Sequence, residues 1–232
     1  MNNHKCALAI FVKSPELSPI KTRLAATIGK DLAIDFYEHS LRALIAMVKK
    51  LQLNNKNLTI FWAIAEKEGM ELERWSEFTN IFQGDGELGE RLGHVYEQLQ
   101  NNFSAVALIG ADAAHLPLSY YQMGIELIQN HGDQKYILGE TTDGGFYFFG
   151  SKKPIPKELW LQIPYSCIQT SSELKKIFSA FGEICNLPRG FDIDTIEDLS
   201  QYTQIRTSTS DLMNEQQELL MWPVRMKISQ GK

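Results

Sequence analysis

Apolar and polar positions along this chain follow two periods. Short apolar blocks stand at residues 7–12, 58–64, 105–109, 136–138 and 146–149, with a weaker one at 183–187. Runs of this length, rich in Val, Ile and aromatic residues, predict strands. Between them the apolar residues recur every three to four positions, which predicts helices. Ala33, Phe36, Tyr37, Leu44, Met47 and Val48 form one stripe in residues 31–50. Leu88, Leu92, Val95, Tyr96 and Leu99 form another over 89–101, and 119–129 is a third. Leu174, Ile177, Phe178 and Phe181 mark a fourth, opened by a capping-box spacing, Thr170-x-x-Glu173. Strands alternating with helices predict an α/β fold with helices on both faces of a mostly parallel sheet. The block 146–149 follows Asp143-Gly144-Gly145 directly, as a hairpin arm would, so the sheet is expected to be mixed. A polar break at Thr207-Ser208-Thr209-Ser210 suggests one domain over 1–205 and a partly helical extension over 206–232.

Composition narrows the partners. With 44% hydrophobic and 22% charged residues, the 232-residue chain can bury a sizeable core. A net charge of −5 argues against non-specific nucleic-acid binding, though not against a locally basic pocket for a small anion. Cys6, Cys167 and Cys185 show no metal-type spacing and read as residues of a reducing compartment. No apolar run approaches a membrane span, and the first residues lack a signal-peptide pattern, so a cytoplasmic location is the expectation.

The candidate chemistry sits where strands are expected to end. The first strand breaks into Lys13-Ser14-Pro15 and then Lys21-Thr22-Arg23. Lysine is a compact charge and arginine a bidentate fork, so this loop suits phosphate oxygens; solvated loop residues are the bland alternative. Val106-Ala107-Leu108-Ile109-Gly110-Ala111-Asp112 ends a strand in a carboxylate, where open α/β sheets place ligands and metals, unless Asp112 merely serves a turn or cap. Asp143-Gly144 on its own reads first as a turn. In Asp192-Ile193-Asp194 the two carboxylates can share one side of an extended segment. About 4 Å apart they would repel by about 4 kcal/mol at an effective dielectric near 20, a cost that a bound cation would offset. Asp194-x-x-Glu197 is equally a capping box, which would leave Asp192 for metal.

Gly84-Asp85-Gly86-Glu87-Leu88-Gly89 matches the dinucleotide pattern G-x-G-x-x-G. It lies far from the first strand, however, and its two acids would repel a pyrophosphate. The five histidines form no metal-type pair, and neither a nucleophile elbow nor a P-loop is present.

Six segments together resemble the bacterial DUF2064 family, part of the nucleotide-diphospho-sugar transferase (GT-A) superfamily. They are Phe11-Val12-Lys13-Ser14-Pro15 with Lys21-Thr22-Arg23-Leu24, Gln83 to Arg91, Gly110-Ala111-Asp112, Asp143 to Tyr147, Ile163-Pro164-Tyr165-Ser166 and Asp192 to Leu199. The resemblance spans residues 6–202 and implies a GT-A fold, a Rossmann-like three-layer α/β/α. It implies Mg²⁺ or Mn²⁺ on Asp112, with Asp192 or Asp194 as partner. Phe11, Lys13, Lys21, Thr22, Arg23, Gly84 and Arg91 would then meet the nucleotide or its phosphates. Asp143, Gly144, Gly145 and Tyr147 would face the acceptor, with Asp143 and Asp192 catalytic. One departure concerns the segment after Gly110-Ala111-Asp112. Where the family has Cys-Pro-Asp-Leu, this chain has Ala113-Ala114-His115-Leu116, so a histidine replaces a carboxylate. The opening loop, Glu16-Leu17-Ser18-Pro19-Ile20, also lacks the usual glycine.

The function so implied is a metal-dependent transferase moving a glycosyl group from a nucleotide-sugar, or a nucleotidyl group from a nucleoside triphosphate, to a small acceptor. The alternatives are a nucleotidyltransferase resembling the phospholactate guanylyltransferases and a catalytically degenerate nucleotide-binding protein. A homodimer is an open alternative to a single chain. Everything rests on one spatial expectation: the basic loop and the carboxylates must meet around one cavity.

Overall fold

The computed structural model describes residues 5–130, 135–204 and 212–229. The polar break at 207–210 and the expected boundary after residue 205 lie outside the described residues. Seven strands form one sheet: β1 (Cys6–Val12), β2 (Leu58–Ile64), β3 (Thr79–Phe82), β4 (Ala105–Gly110), β5 (Lys135–Glu140), β6 (Phe146–Ser151) and β7 (Glu183–Asn186). Their order is β3-β2-β1-β4-β6-β5-β7, and only β6 runs antiparallel to its neighbours. The mixed, mostly parallel sheet is therefore as the pattern predicts.

The helices are α1 (Thr22–Ile28), α2 (Lys30–Asn54), α3 (Leu88–Gln100), α4 (Leu118–Asn130), α5 (Lys157–Leu161), α6 (Thr170–Ser179), α7 (Ile196–Gln204) and α8 (Asn214–Ser229). β1 is apolar throughout because both its faces are covered. Leu8, Ile10 and Val12 join the core beneath α2, whereas Ala7 and Ala9 face the layer of Leu92, Val95 and Tyr96 on α3. The small alanines let α3 approach the sheet closely. α8 belongs to the first layer: Trp222 packs edge-on against Phe36 of α2, and buried Gln216 donates to Ala114 O (2.9 Å) and Leu116 O (2.7 Å).

Three local features depart from expectation. β3 was not foreseen, since Thr79-Asn80-Ile81-Phe82 is a short, half-covered edge strand with too few apolar residues to stand out. The capping box at Thr170 does not form. Thr170 is already helical, and its hydroxyl donates to Pro164 O (2.7 Å) instead of guarding the helix start. The cap of α7 sits one residue later than Asp194-x-x-Glu197. Asp198 Oδ2 accepts from the Thr195 N–H (2.8 Å) and the Thr195 hydroxyl (2.9 Å), and the Asp198 N–H donates back to that hydroxyl (3.3 Å). Asp194 is thereby released for another partner.

Candidate active site

From β1 the chain crosses to β2 on one side, and after β3 it returns to β4 on the other. The strand order thus reverses between β1 and β4, which is where open α/β sheets bind ligands. Phe11 pairs with Gly110 across this seam, so the strand ends deliver Lys13 and Asp112 side by side. The loop after β1 is pinned rather than loose. The Ser14 N–H donates to Glu66 Oε2 (2.9 Å), the Trp75 indole N–H to Ser14 Oγ (3.1 Å), and the Tyr37 hydroxyl to Lys13 O (3.0 Å). These anchors steer the chain so that Lys21 opens α1 directly over the seam.

Lys21 adopts a left-handed backbone (φ 45°, ψ 49°), uncommon for a side chain of its size. Its side chain is only 4% exposed, and its ammonium lies 2.7 Å from Asp112 Oδ1 and 3.0 Å from Asp194 Oδ1. The third proton goes to Ile193 O at 2.6 Å. Burial works against this charge, but Asp112 and then Asp194 outweigh it and hold the pKa above its ordinary value. All three N–H bonds are spent within the protein. Lys21, expected to meet a phosphate, here clamps the β1 loop to the ends of the two acidic segments. Arg23, 66% exposed, stays near Asp194 at 3.9 Å and remains available to an anion.

Asp192 behaves differently. Its pKa is pushed up to about 8, first by burial and then by the neighbouring carboxylates Asp112, Asp143 and Asp194, with Lys21 pulling the other way. Four acids facing one lysine leave the site short of positive charge. His115, three residues after Asp112, does not supply it. It is 5% exposed, stacks on Phe191 (4.4 Å) and Tyr202 (5.0 Å), and is kept neutral, with burial and then Lys21 lowering its pKa to about 3.

Two adjoining cavities share the seam. One is lined by Lys13, Lys21, Thr22, Arg23, Tyr37, Gln83, Gly86, Arg91 and Asp112. The other, about 400 Å³, is lined by Asp143, Gly145, Asp192 and the apolar residues Leu88, Leu92, Phe146, Tyr165 and Ile168. Phe11, Arg23, Leu88, Gly110, Asp112, Ser166 and Asp194 border both. The basic loop and the carboxylates thus meet around one continuous cleft.

The model of the family described as an uncharacterized protein conserved in bacteria, DUF2064, matches residues 47–167, just over half of the chain. The chain belongs to DUF2064. No curated protein matches it by sequence. In fold it is similar to a Desulfovibrio desulfuricans G20 protein provisionally called a nucleotide-diphospho-sugar transferase. That match has a TM-score of 0.78 at 21% identity, over 99% of this chain and 98% of the other. A cytidylyltransferase from Leptospira borgpetersenii aligns with a TM-score of 0.52 at 13% identity, covering 97% and 95% of the two chains. The 4-diphosphocytidyl-2C-methyl-D-erythritol synthase from Anaerococcus prevotii aligns at 0.53 and 11%, covering 85% and 93%. At such identities the likeness is one of fold, that of the nucleotide-diphospho-sugar transferases and nucleotidyltransferases.

Within this DUF2064 chain the glycine-rich loop is no pyrophosphate cradle. Glu87 caps α3 in a reciprocal box with Glu90, so carboxylates occupy the helix N-terminus that a pyrophosphate would need. Arg91 folds back, its Nε donating to Gly86 O (2.8 Å), and presents its guanidinium at the cleft. The Asp143 turn combines both readings of its sequence. It joins β5 to β6, with Asp143 Oδ1 accepting from the Thr141 hydroxyl and from the Gly145 N–H (3.1 Å), while Asp143 also lines the cleft.

Some expected contributors stand elsewhere. Tyr147 is buried on the other face of β6, its hydroxyl donating to Pro188 O (2.9 Å), because alternation along the strand turns it away from Phe146. Gly84 and Gly144 shape their turns without lining the cleft: Gly84 sits against the His94 ring and Gly144 against the Ile168 carbonyl. Asp112, Asp192 and Asp194 do not form a ready-made three-acid metal group; none exists among the described residues, since Lys21 lies between Asp112 and Asp194. The residues missed were Gln83 and the segment Tyr165-Ser166-Cys167-Ile168. In the latter, Ser166 takes a left-handed backbone (φ 57°), a signal that only coordinates reveal.

Proposed function

We propose that this protein is a nucleotide-dependent transferase that binds a nucleotide-sugar or nucleoside triphosphate at the β1–β4 seam. It would pass the glycosyl or nucleotidyl group to a small acceptor. The observation that supports this most directly is the meeting of Lys13, Arg23 and Arg91 with Asp112 and Asp192 at the topological switch point. Phosphate oxygens would lie against Lys13, Arg23 and Arg91, placed by Phe11 and Thr22. The acceptor would occupy the neighbouring cavity, its apolar body against Leu88, Phe146 and Ile168. Its nucleophilic hydroxyl would meet Asp143, whose Oδ1 is held by Thr141 and Gly145.

The residues fit a hard divalent cation, Mg²⁺ or Mn²⁺. Asp192 has no hydrogen-bond or ion-pair partner among the described residues and is crowded by other carboxylates, and such ions are commonly held by one or two carboxylates together with substrate phosphates. Asp112 and Asp192 would hold it, with Asp194 remaining on Lys21. When bound, the ion would neutralise charge developing on the departing phosphate oxygens. The chain's own work is to fix that geometry: Lys21 locks Asp112 and Asp194, and Arg23 meets the leaving group.

The cleft reading is tested by thermal shift and calorimetry with UDP, GDP, CDP and ADP, each with and without Mn²⁺. A ligand at 100 times its Kd stabilises by about 2.7 kcal/mol, enough to raise the melting temperature visibly. Asp112→Asn is expected to abolish the Mn²⁺-dependent part of binding. Unchanged affinity in that variant would remove Asp112 from the metal role. If nucleotides produce no shift but NAD(H) does, the dinucleotide reading of Gly84–Gly89 replaces this one.

A further inference from the structure

Gln83 directly follows β3 and is 4% exposed, yet it lines the cleft together with Phe11 and Arg91. Its backbone N–H donates to Ile64 O (2.9 Å). Its side-chain Nε2 donates twice, to Ala63 O at 2.8 Å and to Val12 O at 3.2 Å. Both amide protons are thus spent on carbonyls at the ends of β2 and β1. A flipped amide would set its oxygen against those same two carbonyls, so the orientation is dictated by the chemistry of its neighbours. What remains is the carbonyl oxygen Oε1. It takes no hydrogen bond from the described residues and is not among the sealed polar atoms, so it opens to the cleft.

We infer that Gln83 is a fixed hydrogen-bond acceptor that selects the nucleoside part of the substrate through a donor on its base or ribose. The inference rests on the cleft taking a nucleotide. A phosphate oxygen at this place would face another acceptor and be repelled, which sends phosphates toward Lys13, Arg23 and Arg91. Tyr37, a second buried polar group of this lining, is already used both ways, donating to Lys13 O and accepting from the Lys13 N–H (3.3 Å). Gln83 thus offers the cleft a buried acceptor of fixed orientation whose own protons are already used. A ligand that covers Oε1 must bring a donor or strand a desolvated acceptor, and sites of this kind reject analogues lacking the donor strongly.

The test is calorimetry on the full chain with Mn²⁺, taking the tightest binder among UDP, CDP, GDP and ADP. It is compared with three analogues: one with the base N–H donors methylated, one 2′-deoxy and one 3′-deoxy. One analogue is expected to bind at least roughly tenfold more weakly, which also says whether base or ribose supplies the donor. In Gln83→Met, parent and analogue should bind alike. If all three analogues bind wild type as the parent does, the inference is overturned while the nucleotide reading stands. It is equally overturned if Gln83→Met keeps the same discrimination. If none of the four nucleotides binds, the functional reading itself has failed. The analogue series needs no variant, so a Gln83→Met protein that does not fold leaves the test intact.

Discussion

Acidification gives the most direct measure of how the chain built its core beneath the site. His115 has an ordinary pKa of 6.5 and is held near 3 in the folded protein, by burial first and by the Lys21 charge second. Below pH 6.5 the unfolded chain takes up a proton that the native state refuses. Stability therefore falls as the pH drops from 6.5 toward 3, by about 1.4 kcal/mol per pH unit for this group. At pH 5 the expected loss from His115 alone is about 2 kcal/mol. His115→Phe keeps the ring against Phe191 and Tyr202 and removes Nε2, which is buried without a partner. Urea unfolding of both proteins between pH 7.5 and 5 separates this residue from the background titration of acids. The variant also loses the ring's hydrogen bond to the Phe191 backbone, so it should lie about 1 kcal/mol below wild type at pH 7.5 and gain on it by about 2 kcal/mol between pH 7.5 and 5. Parallel stability curves across that range would mean that His115 is charged or solvated in the folded state, and the account of its burial would be wrong. A neutral histidine here also means that His115 brings no competing cation beside Lys21.

Further outcomes follow from the same contacts. Lys21→Met leaves Asp112 and Asp194 uncompensated; because those carboxylates are 48% and 33% exposed, the loss should be about 1–3 kcal/mol, below that of a fully buried pair. Denaturation at pH 7 measures it, and since the ammonium is held charged beyond its ordinary 10.5, wild type should keep this contribution up to pH 10. Gly29→Ala and Gly144→Ala form a matched pair, both at left-handed φ (89° and 92°). A Cβ at Gly29 meets nothing within 4 Å, whereas one at Gly144 would lie 2.1 Å from Ile168 O. The first should cost about 1 kcal/mol of backbone strain and the second clearly more, and equal melting temperatures would refute the clash. Among the thiols, Cys6 is fully buried and pushed up to about 12, mainly by burial, while Cys167 and Cys185 are half-buried. A thiol reagent should therefore label two cysteines in the native protein and the third only on unfolding.

The periodicity of apolar residues was enough for most of the fold. Residues 58–64 and 146–149 stand out because burial on most positions of both faces leaves little room for polar residues. α2, α3 and α4 show their stripes because each covers the sheet with one side only. The sequence also brought Lys13, Arg23, Asp112 and Asp192 to strand or loop ends, since a strand at a switch point must hand its polar residues to the crevice. Its limit is reached where a role depends on partners distant in the chain. Lys21 reads from its own segment as a phosphate ligand, and only the fold pairs its ammonium with Asp112 and Asp194, 91 and 173 positions away. His115 reads as a group beside a metal until Phe191 and Tyr202 enclose it. Gln83 opens one of the segments that carry the family resemblance, but no role could be read for it there, because its importance comes from which carbonyls the sheet order sets around its amide. Hydrophobic pattern is a local property and fixes the elements; the protonation, orientation and availability of a polar group are decided by its surroundings, which exist only once the chain has closed on itself.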